Sequence, residues 1–453
     1  MHFYRHAGAA VSGLQLHSTR IVLLLAALLL NACQSVSGLH PDAEFDSIPR
    51  HRFSLQKDRS IVGGLAEVEV GDQESLAVIG RYFGLGFDEI SLANPEQDPW
   101  IPEPGSQVRL PLQFILPDAP RQGIVLNLAA KRLFYYPKAA PDTVFTYPVG
   151  IGREGWETPL GLTHIVAKKA HPNWIVPISV RREHAQKGDP LPRVVPAGPD
   201  NPLGEYAMRL GIAGYLIHGT NKPYGVGMEV SHGCVRLYPE DISRLFKQTP
   251  TGTQVRLVDQ PYLTAWEGDK LFLQVYPPVH KNKKQTERLV RTLMARLRRI
   301  ERDSRQAIDW RKVETVLGRA EGVPTPILTN SVAATTVPRV AHPPAIYGNT
   351  VPEPLTVDAW RLWVASFDDE EQTRRLAAML NHQGPPIPAH ALDLDGAYAV
   401  VAGPFKLEHE AKSAAKRLRL DFSVEAQLIK PGETYASKSD ANDLLAKFRA
   451  LFE

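Results

Sequence analysis

The sequence predicts a multidomain chain: a β-rich central domain, a small βααβ unit before it and an α+β domain after it. Three observations carry this. A chain of 453 residues exceeds one ordinary domain, and an apolar share of 43% gives each part enough to bury. The middle third alternates apolar and polar residues between Gly and Pro punctuation, the pattern of strands. Strand-like and helix-like stretches then alternate beyond a Pro-rich segment. The net charge of +3 gives no bulk electrostatic case for nucleic-acid binding.

At the N-terminus, His2, Arg5 and Arg20 precede an apolar run at 21–30. That length suits a secretory signal and is too short to span a bilayer. Leu30-Asn31-Ala32-Cys33 resembles a bacterial lipobox, which implies a signal peptide at 1–32 and lipid on Cys33. Gln34 at the next position, by resemblance to Gram-negative lipoproteins, implies a periplasm-facing anchor in the outer membrane. A polar tether is expected at 33–64.

Residues 65–111 are expected to fold as strand, helix, helix, strand. Val68-Glu69-Val70 alternates, Leu76, Ile79 and Phe83 fall at helical spacing, and Phe87, Ile90 and Leu92 form a second face. Gly71-Asp72, Ile79, Asn94-Pro95, Pro104-Gly105 and Leu110-Pro111 resemble the LysM glycan-binding module.

Strands are predicted at 124–128, 133–136, 145–150, 162–167, 214–218 and 253–258 within a β-rich domain at 122–258, with a helix at 239–246. A basic helical extension follows at 259–322, with Leu289, Leu293, Leu297 and Ile300 on one stripe. The stripe reads as a helix packed on the central domain, or as a surface for anionic envelope polymers. Residues 323–356 read as a Pro-rich linker. At 357–431, two strand–helix units and a last strand suggest a ferredoxin-like split βαβ fold. The parallel between Trp363-Val364-Ala365-Ser366-Phe367 and Val400-Val401-Ala402-Gly403-Pro404-Phe405 resembles the SPOR domain, which implies binding of bare glycan strands. A tail occupies 432–453.

The chemistry concentrates at Ser231-His232-Gly233-Cys234, with Ile217-His218-Gly219-Thr220 upstream. The chain has two cysteines, so lipid on Cys33 leaves Cys234 without an intramolecular partner. A thiol attacks as thiolate, and an imidazole can take its proton and return it to a leaving group. The intervening loop, with Gly219, Asn221, Pro223, Gly225 and Gly227, can double back and bring His218 to Cys234. Gly233 allows close backbone passage, and the N–H groups of Gly233 and Cys234 are oxyanion-hole candidates. His232 reads as structural. His164, His171 and His184 lack metal-ligand spacing, and no phosphate-binding glycine loop is present, so no metal or other cofactor is expected.

His218-Gly219-Thr220-Asn221 and Ser231-His232-Gly233-Cys234-Val235-Arg236-Leu237 resemble the YkuD-type L,D-transpeptidase signature of the ErfK/YbiS kind, with Gly152 and Thr158-Pro159-Leu160-Gly161 matching upstream elements. The resemblance implies that Cys234 attacks a peptidoglycan tetrapeptide stem, releases D-Ala and holds a thioester. A second stem's amine then resolves it into a 3–3 crosslink; a lysine of an outer-membrane lipoprotein, a D-amino acid or water are the family's other acceptors. His218 is implied as base and acid, with Ser231, His232, Gly233 and Gly219 shaping the site. Arg236 is implied to order the site or meet a substrate carboxylate. Tyr224, with Trp174 and Tyr215, reads as lining the peptide groove or as core packing. Peptidoglycan stems and glycan strands are the expected partners. The alternatives are a carboxypeptidase or amidase using the same thiol, and a non-catalytic wall-binding scaffold.

Overall fold

The computed structural model describes residues 51–279, 282–331, 337–341, 351–382, 385–394 and 397–433. The expected signal peptide, the lipidation residue Cys33 and most of the C-terminal tail lie outside the described residues.

A nine-stranded mixed sheet is the frame of the central domain. Its spatial order is Arg52–Ser54, Thr143–Pro148, Arg132–Tyr136, Gly123–Asn127, Gln254–Val258, Gly161–Ala170, Tyr206–Leu210, Leu216–His218 and Val235–Arg236. The last-formed strand in sequence, Gln254–Val258, sits in the middle. It runs parallel to Gly123–Asn127 and antiparallel to Gly161–Ala170, so it ties the two halves of the domain together. A second parallel pair, Leu216–His218 with Val235–Arg236, closes the far edge. Ile124, Leu126, Ile165, Met208, Ile217, Val235 and Leu257 fill the core beneath this edge. The helix Pro239–Gln248 starts with Pro239, carries Glu240 and Asp241 in its first turn, and buries Ile242 and Leu245 in that core.

The expected tether at 33–64 needs correction at its C-terminal end. Arg52–Ser54 adds a strand to the large sheet, with Phe53 buried, and Ile61–Gly63 pairs with Gln113–Ile115. Strands of three residues are too short to show a period, which is why the sequence reads as polar coil there.

The βααβ unit forms as predicted in element order. Ala66–Glu69 pairs antiparallel with Gln107–Leu110, and the helices Leu76–Tyr82 and Phe87–Ala93 lie between them in sequence. Ser75 caps the first helix by accepting from the Val78 amide at 3.3 Å. Its core is shared with the large sheet: Leu76, Ile79, Leu85 and Ile90 pack in one cluster with Val125, Phe134 and Val144. The seam also buries an ion pair. Arg132, fully buried, donates from Nε and Nη2 to Glu89 at 2.5 and 2.7 Å, and its guanidinium lies 4.2 Å from the Phe114 ring centre. Removing one partner strands the other charge out of water. Glu89→Ala is therefore expected to destabilise the chain by about 3–5 kcal/mol in denaturant melts.

The region expected as a helical extension at 259–322 begins instead with a β-hairpin, Tyr262–Glu267 and Lys270–Val275. Gly268, at φ +59°, makes the turn that breaks any helix there. The helices Lys283–Ser304 and Trp310–Arg319 pack Leu293, Leu297 and Val313 onto the hairpin residues Leu271, Leu273 and Val275, not onto the large sheet. The expected linker at 323–356 also begins as structure. Thr325–Pro326 pairs as an edge strand with the hairpin, and Ile327 and Leu328 are buried.

The C-terminal domain is a four-stranded antiparallel sheet in the order Ala389–Asp393, Tyr398–Phe405, Trp360–Phe367, Gln427–Ile429. The helices Glu370–His382 and Glu408–Phe422 complete a βαββαβ chain order, the split βαβ arrangement. The strand Ala389–Asp393 was not predicted. Its sequence is AHALD, and only Ala389 is buried, so its pattern carries almost no apolar signal.

Candidate active site

The far edge of the large sheet brings the predicted chemistry together. His218 pairs with Arg236 in parallel register. Residues paired across strands share a face, so Arg236 and His218 project from one side of this edge, and Cys234 comes just before that strand. They open into one cleft of about 1600 Å³, along which Trp174, Tyr215 and Tyr224 also lie.

His218 is 3% exposed, and its Nδ1 donates to the Gly219 carbonyl at 2.6 Å. This fixes the tautomer and leaves Nε2 as the acceptor nitrogen. Burial drives its pKa down to about 3, the Arg236 charge pushes the same way, and the Gly219 and Leu203 carbonyls resist. The Cys234 thiol is raised above its ordinary value by burial, against the opposing pull of the Leu216 backbone and Arg236. It donates to the Gly214 carbonyl at 3.7 Å. The resting pair is thus neutral thiol and neutral imidazole, not the ion pair that a depressed thiol would give. Proton transfer then accompanies attack on a carbonyl, instead of preceding it.

The tetrapeptide before the strand is locked from within. Ser231, buried, donates from Oγ to the Cys234 carbonyl at 2.6 Å and accepts from the Gly233 amide at 3.1 Å. The Gly233 carbonyl accepts from Thr158 Oγ1 at 2.9 Å, and that same oxygen accepts from the Gly152 amide at 2.9 Å. Gly233 sits at φ +98°, and a Cβ there would lie 2.8 Å from Tyr215 Cε1. Only glycine fits. These bonds correct one expectation: the Gly233 amide is already used by Ser231. The Gly219 amide is likewise taken by the Tyr206 carbonyl at 3.0 Å. Among the described residues, no acceptor engages the Cys234 amide.

His232 points into a charged cluster. Its Nε2 donates to Glu183 Oε2 at 3.0 Å, and its ring meets Trp156 edge-on at 4.8 Å. Arg153 Nη2 donates to both Glu183 oxygens at 2.6 and 2.8 Å. Lys187, His232 and Arg153 hold the Glu183 carboxyl down at about 2, against the opposing effect of burial, so it is charged at any working pH. Burial lowers His232 as the main effect, partly offset by Glu183. The ring is thereby committed to anchoring the loop. Sequence reading missed Glu183 and Arg153. Glu183 lies in Ile178–Gln186, a mostly polar helix with one buried residue, where nothing in the pattern marks it.

Arg236 is the unsatisfied group of the site. Its Nε is buried without a hydrogen-bond partner, and among the described residues no carboxylate pairs with it. Its charge reaches both Cys234 and His218, as the shifts of both show. Two other histidines are occupied elsewhere: His171 pairs with Glu205, and His184 with Asp189 at 3.1 Å. Among the described residues, no group of three metal-ligating side chains converges.

Comparison with known proteins agrees with this geometry. Residues 121–257 match the L,D-transpeptidase catalytic domain model, and residues 357–430 match the SPOR domain model. The chain is 39% identical over 279 residues to the probable L,D-transpeptidase ErfK/SrfK of Escherichia coli, covering 60% of this chain and 88% of that one. It is 42% identical over 219 residues to the probable L,D-transpeptidase YbiS of the same organism, covering 48% and 71%. The probable L,D-transpeptidase YcfS is 38% identical over 272 residues, covering 59% and 84%.

Proposed function

Because this chain belongs to the L,D-transpeptidase family and carries a SPOR domain, we propose that it is a periplasmic, cell-wall-associated peptidoglycan L,D-transpeptidase with Cys234 as nucleophile. The observation that carries the proposal is the convergence, on one cleft, of a half-buried thiol, an imidazole whose Nδ1–H is held by the Gly219 carbonyl, and a guanidinium that no carboxylate pairs with among the described residues.

The steps follow from the residues. A tetrapeptide stem enters with a carboxylate on Arg236, which supplies the missing partner of a buried cation. Cys234 Sγ attacks the carbonyl of the third stem residue while its proton passes to His218 Nε2. The Cys234 amide donates to the oxyanion. As the intermediate collapses, the C–N bond breaks, His218 returns the proton to the amine, and D-Ala leaves. A thioester remains. The side-chain amine of a second stem attacks it, His218 accepts a proton again, and the thiol is released with a 3–3 crosslink made. The neutral resting pair suits this sequence, because the thiol is unmasked only when a carbonyl is present to receive it.

The flanking parts fit one polymer. The C-terminal domain is read as the holder of glycan strands, and the βααβ unit as a LysM-like second contact. Lipid on Cys33 would tether the chain to the outer membrane. The boundaries in this reading are 65–111, 122–258 and 357–431, with the extension beginning as a hairpin.

Purified full-length chain with defined tetrapeptide muropeptides, followed by mass spectrometry, tests the assignment. Crosslinked dimers with equimolar D-Ala are expected. Shortened tripeptide stems alone would make it a carboxypeptidase, and no product at all would leave only a binding scaffold.

A further inference from the structure

The cleft that holds Cys234 is not built by the catalytic domain alone. Met379, Leu420 and Phe422 of the C-terminal domain line it as well. Phe422 sits at the margin of that domain's own core, whereas Met379 and Leu420 are half-buried side chains outside that core cluster. Met379 and Leu420 give the cleft an apolar stretch on the side opposite the reacting groups' own domain.

Charge fixes the arrangement. Asp421 pairs with Lys222 at 2.9 Å, Lys416 with Asp189 at 2.5 Å, and Arg375 with Asp98 at 2.5 Å. Arg419 Nη1 also donates to the Lys187 carbonyl at 3.5 Å. Such exposed pairs are individually weak, but three with matched signs set a register. Lys222 stands on the loop that follows His218, and Lys187 and Asp189 continue from the helix that carries Glu183. Two of the three pairs and the Arg419 bond therefore fall on the two segments that frame the reacting groups, and the third falls on the βααβ unit.

We propose that the helix Glu408–Phe422 and its neighbour Glu370–His382 form the outer wall of the substrate site. The stem peptide then binds between the two domains, with apolar parts on Leu420 and Met379 and a carboxylate on Arg236. This rests on the reading of the cleft as a peptidoglycan-peptide site, and it makes the C-terminal domain a determinant of specificity as well as a glycan holder.

Two measurements on the full chain decide it. The first needs no turnover: the rate of Cys234 alkylation by a bulky polyethylene-glycol maleimide relative to iodoacetamide, read by peptide mapping. Lys416→Glu with Asp421→Lys is expected to raise that ratio at least fivefold, and adding Asp189→Lys with Lys222→Asp to restore it. An unchanged ratio would remove the wall. The second is steady-state kinetics of Leu420→Glu with tetrapeptide muropeptides. KM is expected to rise about tenfold with kcat within threefold, the split of a lost binding surface. A KM that stays or falls would show the helix to be bystander or obstruction, and overturn the proposal. Absence of any turnover in the unaltered chain would count against the transpeptidase reading, while the alkylation ratio still decides the wall.

Discussion

Cys234→Ser is expected to abolish crosslink formation, with a rate loss on the order of 10⁴ or more. The size follows from the chemistry of the pair. The hydroxyl is a far weaker acid than the thiol, and His218, held neutral with a pKa of about 3, is a weak base. A weak base can deprotonate a thiol in step with attack, but it has too little driving force for an alcohol. The check is acylation by a carbapenem followed by intact mass: the unaltered chain gains one adduct that maps to residue 234, and the variant gains none. The fold should be untouched, because the thiol's hydrogen bond to the Gly214 carbonyl, at 3.7 Å, is long and weak. Retained acylation in the variant would place the nucleophile elsewhere and end the proposed function.

The sequence made the centre of this site legible because its chemistry is carried by contiguous residues. Ser231 to Cys234 sit in one turn, and His218 ends a strand whose apolar run is visible. The strands of the C-terminal domain at 360–367 and 398–405 were readable for the same reason: their residues alternate or run apolar over eight positions. What escaped was whatever depends on tertiary partners. Phe53 becomes a strand residue only because the sheet edge at 143–148 waits for it. Glu183 matters only because a helix, a loop and the turn after Gly152 meet at His232. The ionisation state of Cys234 was also out of reach. Sequence offers a neighbouring imidazole, which argues for a thiolate, while burial of both groups argues the other way and wins.

That outcome makes the pH dependence of the second prediction sharp. His218→Ala is expected to slow acylation by about 10²–10⁴ through loss of the base. In the unaltered chain, kcat/KM for acylation should stay flat from about pH 5 to pH 8, because the base loses its acceptor only near its own depressed value. An imidazole open to solvent would instead show a midpoint near 6.5. The same burial has a cost in stability at acid pH. Folded His218 binds its proton only near pH 3, while in the unfolded chain it binds near 6.5. Between these values the unfolded state holds the extra proton, so stability falls as pH falls, by about 1.4 kcal/mol per unit from this group. Above 6.5 the contribution is complete and flat. Denaturant melts at pH 7 and pH 5 should therefore show a loss in the unaltered chain that is smaller in His218→Ala, which has nothing to protonate. An acid midpoint near 6.5 in the rate profile, with equal acid sensitivity of the two melts, would mean that the ring is solvated and shuttles its proton through bulk water. The Gly219 carbonyl would then have no tautomer to hold.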